Sequence, residues 1–184
     1  YTDLNGDGKI TGDDATRNIG FTDAPEYTVG FNLGFNWKKL DFSMQWTGAW
    51  NVDRMLSEFR QPLGDTFNKG LLLYQYNNTW RSSEDTYTAK YPRISGLHAA
   101  NNYAGSDLYL IDASYLRLKS IEIGYNFDFP FIKKMKMNQC RLYVNGYNLL
   151  TFTGFKWGDP ESRQSDRPNY PLTRVFNIGL KVGF

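Results

Sequence analysis

Several features are scarce in this sequence of 184 residues, and each scarcity excludes a class of protein or site. The one cysteine, Cys140, excludes an intrachain disulfide and a cysteine cluster for a metal. The one histidine, His98, excludes a pair of histidine metal ligands, and we expect its side chain to be solvated. No apolar run approaches the roughly 18 residues of a membrane-spanning helix. The formal net charge is only +2, so we predict no nucleic-acid partner.

Aromatic residues and glycine, by contrast, are abundant. Tyrosine, phenylalanine and tryptophan make up 17% of the chain and 17 residues are glycine, yet the mean hydropathy is -0.55. So many aromatic side chains are not typical of a disordered protein. Aromatic residues favour β-strands, and a strand with one polar face keeps the mean hydropathy low. The composition therefore predicts an all-β protein.

Five segments alternate apolar and polar residues with the period of two that is typical of a β-strand. In the second segment, for example, Phe42 and Met44 alternate with Ser43 and Gln45. The predicted strands are residues 28–37, 39–50, 115–127, 141–150 and 174–184. Neighbouring strands with short connections pair in antiparallel fashion, so the fold class is an antiparallel all-β sheet.

The third of these segments changes parity part-way along. Leu118 lies on one parity, whereas Ile121 and Ile123 lie on the other. One extra residue in the strand would bring these apolar side chains onto the same face. We therefore predict a β-bulge near Lys119-Ser120.

The lengths of the strands and of their connections favour a membrane barrel. A tilted strand crosses a bilayer in roughly 9–11 residues, whereas strands of a soluble sandwich are nearer 5–6 residues. Short connections at 38–39 and 128–139 alternate with long ones at 51–114 and 151–173, as in barrels with short periplasmic turns and long external loops. Five strands cannot close a barrel, which needs about eight, so further strands must come from elsewhere. The alternative is a soluble β-sandwich that binds carbohydrate and has a calcium-stabilised loop.

In a membrane barrel, the apolar parity of each strand faces lipid and the polar parity faces the lumen. The side chains that we predict to face outward are Phe31, Leu33, Phe42, Met44, Ile178 and Leu180. Those that we predict to face the lumen are Asn32, Ser43, Gln45 and Asn177.

Ordered motifs follow one another along the chain. They are DLNGDGKI from Asp3, YTVGFNLGF from Tyr27, DASYLRLK from Asp112, GYNLLTFT from Gly146, Asp159-Pro160-Glu161, and YPLTR from Tyr170. In this order they resemble the C-terminal end of the SusC/RagA-like TonB-linked outer-membrane transporters of the Bacteroidota. The resemblance covers the whole of residues 1–184.

The resemblance implies the last strands of a barrel of about 22 strands, whose plug and N-terminal strands are absent from this sequence. It implies nutrient uptake, as import of glycans or peptides across the bacterial outer membrane, and no enzymatic activity. The implied partners are TonB, acting through the missing N-terminal part, a SusD-like surface lipoprotein, and outer-membrane lipid. If the last strand ends at the periplasmic rim, the long connections and the segment at Asp3 lie outside the cell.

Residues 3–14 match the template of a calcium-binding loop. Asp3, Asn5 and Asp7 occupy positions 1, 3 and 5, Lys9 offers its carbonyl oxygen at position 7, and Asp14 stands at position 12. A glycine fills the sharp-turn position between Asp7 and Lys9. The departure is Asp14, where a longer glutamate is usual. We expect a structural Ca²⁺; the alternative is a metal-free turn, because Asn, Asp and Gly favour turns in any case.

Aromatic residues in the long connections are candidates for contact with a substrate or a partner. Trp80, Tyr87, Tyr103 and Trp157 could stack on sugar rings or pack against a partner protein. The alternative is that these rings pack the connections against one another.

Two other groups of charged residues have a simpler interpretation than a site. Asp159 and Glu161 lie in a proline-containing loop without the fixed geometry of a glycosidase pair, and we assign no catalytic residue. Lys133, Lys134 and Lys136 could meet anionic lipid headgroups, although a solvated turn is the simpler interpretation.

Overall fold

The computed structural model describes residues 2–60, 70–94, 100–134, 136–162 and 172–184. His98 and the residue pair Tyr170-Pro171 lie outside the described residues. The strands in chain order are β1 (Tyr27–Trp37), β2 (Leu40–Trp50), β3 (Asp53–Met55), β4 (Leu110–Asp112), β5 (Tyr115–Asn126), β6 (Gln139–Thr153) and β7 (Val175–Gly183). The short helices are α1 (Leu73–Asn78) and α2 (Pro130–Lys134), and 3₁₀ turns lie at Gly12–Asp14, Ser57–Arg60, Ser83–Asp85, Ala100–Tyr103 and Asp107–Tyr109. Across the described ranges, no helix combines the length and the apolar composition that a bilayer crossing requires.

Five of the strands form one antiparallel sheet, in the order β1-β2-β5-β6-β7. This architecture confirms the predicted fold class. The strand ends differ from the predicted ranges by at most one residue, except in β6, which is two residues longer at its start and three at its end. The short strands β3 and β4 pair with each other and do not join the five-stranded sheet.

The predicted bulge is confirmed by the register of β5. Trp46 pairs with Leu118 and Gln45 pairs with Ser120, so that Lys119 is the extra residue opposite β2. The register between β5 and β6 shifts at the same place, between Leu118 and Ser120. The bulge brings Leu118 and Ile121 to the same face of the sheet, because it shifts the alternation by one residue.

The two faces of the sheet differ in polarity as predicted. Cross-strand partners share a face, and Leu33, Met44 and Ile121 form one continuous row. On β7, Leu180 pairs with Leu142. Asn177 is three residues before Leu180, and because side chains alternate along a strand, it faces the other side of the sheet. All six side chains predicted to face outward share one face, and the four predicted to face the lumen share the other.

The chain divides into two compact units. One contains Tyr1–Phe21 and Met55–Leu110, and the other contains Thr22–Arg54 and Ile111–Phe184, including the five-stranded sheet. In the second unit, a small apolar core lies at one end of β2 and β5. Its buried members are Ala49, Val52, Ala113 and Tyr115, with Phe155 packed against them.

Candidate functional site

The polar face of the sheet carries a network of charged side chains centred on Arg141. Arg141 Nε donates to Asp41 Oδ2 at 2.9 Å, and Nη2 donates to Glu122 Oε1 at 2.7 Å and to Asp41 Oδ1. Asp41, Glu122 and Arg141 come from β2, β5 and β6, and the sheet order places these strands side by side. A guanidinium that is shared by two carboxylates satisfies several donors at once, which favours a fixed geometry.

Three asparagines extend this network across the sheet. The side-chain amide of Asn126 donates to Asp41 Oδ2 at 3.1 Å, and that of Asn145 donates to Glu122 Oε2 at 3.1 Å. On β7, Asn177 donates to Asn145 Oδ1 at 2.9 Å. We call the set Asp41, Glu122, Asn126, Arg141, Asn145 and Asn177 the polar ladder. It links four neighbouring strands on one face.

Two glycines make room for the long side chains of this face. A Cβ atom at Gly124 would collide with the Arg141 guanidinium, and one at Gly179 would collide with the ring of Tyr143. Arg141 in turn lies 5.0 Å from the centroid of the Tyr143 ring, within the range of a cation–π contact. The glycines therefore let Arg141 and Tyr143 lie flat across neighbouring strands.

A second charged cluster lies beyond the bulge and is more deeply buried. The side chain of Arg117 is only 2% exposed. Its Nη2 donates to both carboxylate oxygens of Asp159 at 2.9 Å, its Nη1 to Glu161 Oε2 at 2.6 Å, and its Nε to Thr151 Oγ1 at 3.0 Å. Lys119, the bulge residue, adds a contact to Glu161 Oε2 at 3.1 Å. Arg117 thus holds the loop after β6 against the polar face of the sheet.

Arg54, in β3, fixes the same loop by donating to the backbone carbonyl oxygens of the loop. Arg54 Nε donates to the carbonyl oxygen of Ser162 at 2.9 Å, and Nη2 donates to that of Pro160 at 3.3 Å. Its Nη1 donates to the carbonyl oxygen of Asp23 at 2.6 Å. Two arginines therefore hold residues 159–162, one through carboxylates and the other through carbonyls.

The chain is similar over its whole length to TonB-dependent receptors. It is 29% identical to TonB-dependent receptor P3 and 27% identical to TonB-dependent receptor P26, both of Formosa agariphila, and 26% identical to TonB-dependent receptor SusC of Bacteroides thetaiotaomicron. Each alignment covers 100% of this chain but only 19%, 19% and 17% of the respective relative. No protein-family model matches the chain.

Solved structures of a peptide importer have the same fold. The chain superposes on RagAB in its "closed-closed" state with a TM-score of 0.69 and 22% identity, covering 97% of this chain and 20% of that one. It superposes on the RagAB peptide transporter with a TM-score of 0.67 and 23% identity, covering 96% and 19%. These similarities agree with the resemblance to the SusC/RagA-like TonB-linked transporters that the sequence motifs carry. The chain spans about a fifth of the length of the relatives that it matches.

The predicted calcium loop is a compact turn stabilised by its own carboxylates. The side chain of Asp3 accepts hydrogen bonds from the backbone N–H groups of Gly6 and Gly8, both at 2.7 Å. Asp14 accepts N–H groups of Leu4 and Thr11, both at 2.8 Å. The hydrogen bonds from Thr11 and then Leu4 hold the pKa of Asp14 below its usual value. Their support of the turn is therefore present above the usual pKa of 3.8 and lost as the pH falls through the lowered value.

Ca²⁺ binding by this loop stays a prediction. Within the described ranges, no three or more His, Cys, Asp or Glu side chains form a group that could hold a metal ion. The predicted ligand set, however, has two carboxylates near the start of the loop, an amide and a carbonyl oxygen, which are all suitable for a hard cation. The hydrogen bonds of Asp3 and Asp14 are also those of a metal-free turn, the alternative that the sequence leaves open.

We expect isothermal titration of the full-length receptor with Ca²⁺ to detect one site in this loop, with a dissociation constant of about 0.1–1 mM or tighter. Replacing Asp7 with asparagine removes one charged ligand and should abolish the measured heat. The matched control replaces the exposed Asp13, which is not at a ligand position, with asparagine. It also removes one negative charge and should leave the heat of binding unchanged. Equal heats in all three proteins would rule out the loop as the site.

The four aromatic candidates are divided between the two compact units. Tyr87 is 98% exposed, whereas the indole N–H of Trp80 donates to Thr86 Oγ1 at 3.4 Å. Tyr103 lies in the 3₁₀ turn Ala100–Tyr103 of the same unit, where its carbonyl oxygen accepts from Arg60 Nε at 3.2 Å. Trp157 belongs to the unit that contains the sheet and is half-buried there. Contact of these side chains with substrate or partner stays a prediction.

The packing of the first unit depends on four aromatic residues of the long connection. Phe59 stacks on Tyr74 with ring centroids 6.0 Å apart, and Tyr91 stacks on Tyr109 at 5.8 Å. Phe59 and Tyr91 meet edge-on at 5.6 Å, which joins the two pairs. Burial, and then the neighbouring Tyr74, raise the pKa of the Tyr91 hydroxyl. These four rings pack parts of the long connection against one another. Such packing is the alternative to contact with a substrate or a partner that the sequence leaves open for aromatic residues of the connections.

Sequence reasoning missed the residues that form the charged networks. Asp41, Glu122 and Arg141 were not candidates, although each stands on the polar parity of its strand. Opposite charges on one parity of neighbouring strands are the signal that could have found them. That signal needs the register as well, because only the register shows which charges lie opposite one another.

Proposed function

We propose that this chain is the C-terminal part of the barrel of an outer-membrane transporter that imports glycans or peptides. In this proposal the complete protein takes up nutrients across the bacterial outer membrane together with a SusD-like surface lipoprotein. TonB supplies the energy through a plug and N-terminal strands that precede this segment. The chain contributes barrel wall and external loops and has no catalytic role.

The exposed apolar face of the sheet carries this proposal. Ile178 and Leu180 on β7 remain 74% and 63% exposed, and Leu33 on β1 remains 50% exposed. In a soluble sandwich such a face would be buried against a second sheet. In a membrane barrel, the lipid hydrocarbon instead covers the apolar side chains of this face. The strands, of 9–15 residues, are also long enough to cross the bilayer.

The polar ladder also supports a sheet whose apolar face contacts lipid and whose polar face lines the lumen. Charged side chains are unfavourable in hydrocarbon and therefore face the interior of a membrane protein or an aqueous cavity. Asp41, Glu122 and Arg141 lie on the face opposite to the apolar rows. With lipid on one face, the ladder lines the lumen, where hydroxyl-rich or peptide substrates pass.

The behaviour of the segment in isolation tests this proposal against the soluble alternative. We expect residues 1–184 alone to aggregate in detergent-free buffer, because the apolar face would meet water. The full-length receptor should extract from outer membranes only with detergent, and deletion of its gene should abolish uptake of its glycan or peptide. A monomeric segment that melts cooperatively in buffer would contradict the barrel and favour the soluble β-sandwich.

The topology that follows from the proposal can be tested by labelling. We expect a cysteine at the exposed Ser83, in the 51–114 connection, to react with an impermeant maleimide in intact cells. The background carries Cys140→Ser, so that the native thiol does not contribute. The matched control is a cysteine at the exposed Lys134, in the 128–139 connection, which should react only after the outer membrane is permeabilised. The reverse pattern would overturn the topology.

A further inference from the structure

Lysines and exposed aromatic rings gather at the end of the sheet where the two short connections lie. The turn Lys38-Lys39 lies beside the end of β5, because the N–H of Asn126 donates to the carbonyl oxygen of Lys39 at 2.8 Å. The 128–139 connection starts at the same edge, since the N–H of Phe127 donates to the carbonyl oxygen of Cys140 at 2.8 Å. We call residues 37–39, 127–134 and 136 the basic rim.

The rings of this rim continue the apolar face of the sheet. Trp37 and Phe129 are 63% and 51% exposed, and Phe131 is 67% exposed. Tyr125, Phe127 and Phe129 form a chain with successive ring centroids 4.9 and 5.7 Å apart. Exposed aromatic rings at the end of an apolar face are favoured where hydrocarbon gives way to headgroups.

Ammonium groups lie over two of these rings. Lys38 Nζ is 5.1 Å from the centroid of the Trp37 ring, and Lys39 Nζ is 5.9 Å from that of Phe129. Each pair therefore places a positive charge next to an apolar ring, within cation–π range. This arrangement matches a phospholipid, in which the acyl chains are followed by the glycerol backbone and then by the phosphate.

The charge of the rim is one-sided. In the sequence, residues 37–39, 127–134 and 136 contain five lysines and a single acidic residue, Asp128. The whole chain has a formal net charge of only +2, so the rim holds a disproportionate share of the positive charge. Lysines near a membrane surface attract anionic lipid.

We infer that the basic rim binds the phosphate groups of anionic phospholipid in the leaflet that surrounds this end of the barrel. The rings of Trp37 and Phe129 contact the upper acyl region, and the ammonium groups of Lys38, Lys39 and Lys134 pair with headgroup phosphates. This inference rests on the proposed function, because it needs the apolar face to lie in a bilayer. It adds a preference for anionic over zwitterionic lipid that barrel insertion alone does not require.

The test compares spin-labelled phosphatidylglycerol with spin-labelled phosphatidylethanolamine around the full-length receptor in nanodiscs. We expect the wild-type receptor to bind phosphatidylglycerol several-fold more tightly. The double variant Lys39→Gln and Lys134→Gln should reduce this several-fold preference to near equality, because it removes two of the charges that attract the anionic headgroup. The matched control is Lys90→Gln with Lys156→Gln, which removes two exposed lysines outside the rim and should keep the wild-type preference.

Two outcomes would overturn the inference: no preference in the wild-type receptor, or an equal loss in the two double variants. The second outcome would mean that the net charge of the protein, and not the rim, attracts the lipid. Substrate uptake by the same variants separates this inference from the proposed function. A receptor that transports substrate without a lipid preference refutes only the basic rim, whereas one that does not enter nanodiscs refutes the barrel.

Discussion

Replacing Leu180 with arginine should destabilise the full-length receptor in its membrane by about 2–4 kcal/mol. Leu180 pairs with Leu142 on the apolar face of β7 and is 63% exposed, so in a barrel its side chain lies in hydrocarbon. An arginine there must desolvate its charge or deform the bilayer to reach the headgroups. The measurement is the fraction of receptor that keeps the compact gel mobility of a folded barrel over a series of urea concentrations.

Asn177→Arg is the matched control for this prediction. Asn177 lies three residues earlier on the same strand but faces the polar side, where its amide contacts Asn145 next to the Glu122 carboxylate. An added positive charge is tolerated there, so we expect little change in the urea midpoint. Equal losses for Leu180→Arg and Asn177→Arg would contradict the assignment of the two faces.

The second large effect is expected at Arg117. Replacing it with methionine leaves the Asp159 carboxylate, which is 13% exposed, without its guanidinium. Removing one partner of a buried ion pair costs about 3–5 kcal/mol, and we expect the lower end of that range. The reason is that Glu161, the other partner, is 40% exposed and keeps part of its hydration. Hydrogen exchange of residues 155–162 should rise along with the loss of stability.

Two variants test whether the loss comes from this ion pair. Lys119→Met removes a positive charge from the same cluster, but Lys119 is 36% exposed, so its loss should cost less than about 1 kcal/mol. In a double-mutant cycle, Asp159→Asn should cost much less in the Arg117→Met background than in the wild type. Additive losses would show that Arg117 stabilises the loop through its packing and not through the carboxylate.

The two arginine-centred networks differ in what they fix. The polar ladder joins neighbouring strands, and its residues are partly exposed, with Arg141 at 16% and Asp41 at 24%. The Arg117 cluster instead joins a strand to a loop and is buried at its centre. In a transporter, the first network would shape the wall of the lumen. The second holds residues 159–162 against the polar face of the sheet.

Much of the fold follows from local alternation along the chain. The parity of Phe42, Met44 and Ile178 alone assigns the two faces, because the side-chain period of a strand is two residues. The bulge at Lys119 also follows from the sequence, since Leu118 and Ile121 reach the same face only if one residue is added. These features depend on neighbours in sequence, and the sequence by itself determines them.

Other features depended on contacts between distant residues, which only the tertiary structure decided. The pairing of Arg141 with Asp41, 100 positions away, requires both the register of three strands and the open space above Gly124. Arg117 meets Asp159 and Glu161 only because the loop after β6 folds back on the sheet. Alternation shows which face a charge lies on, but it does not show which charge lies opposite. A two-residue change in register would keep the apolar and polar faces of each strand but would give each charge a different partner.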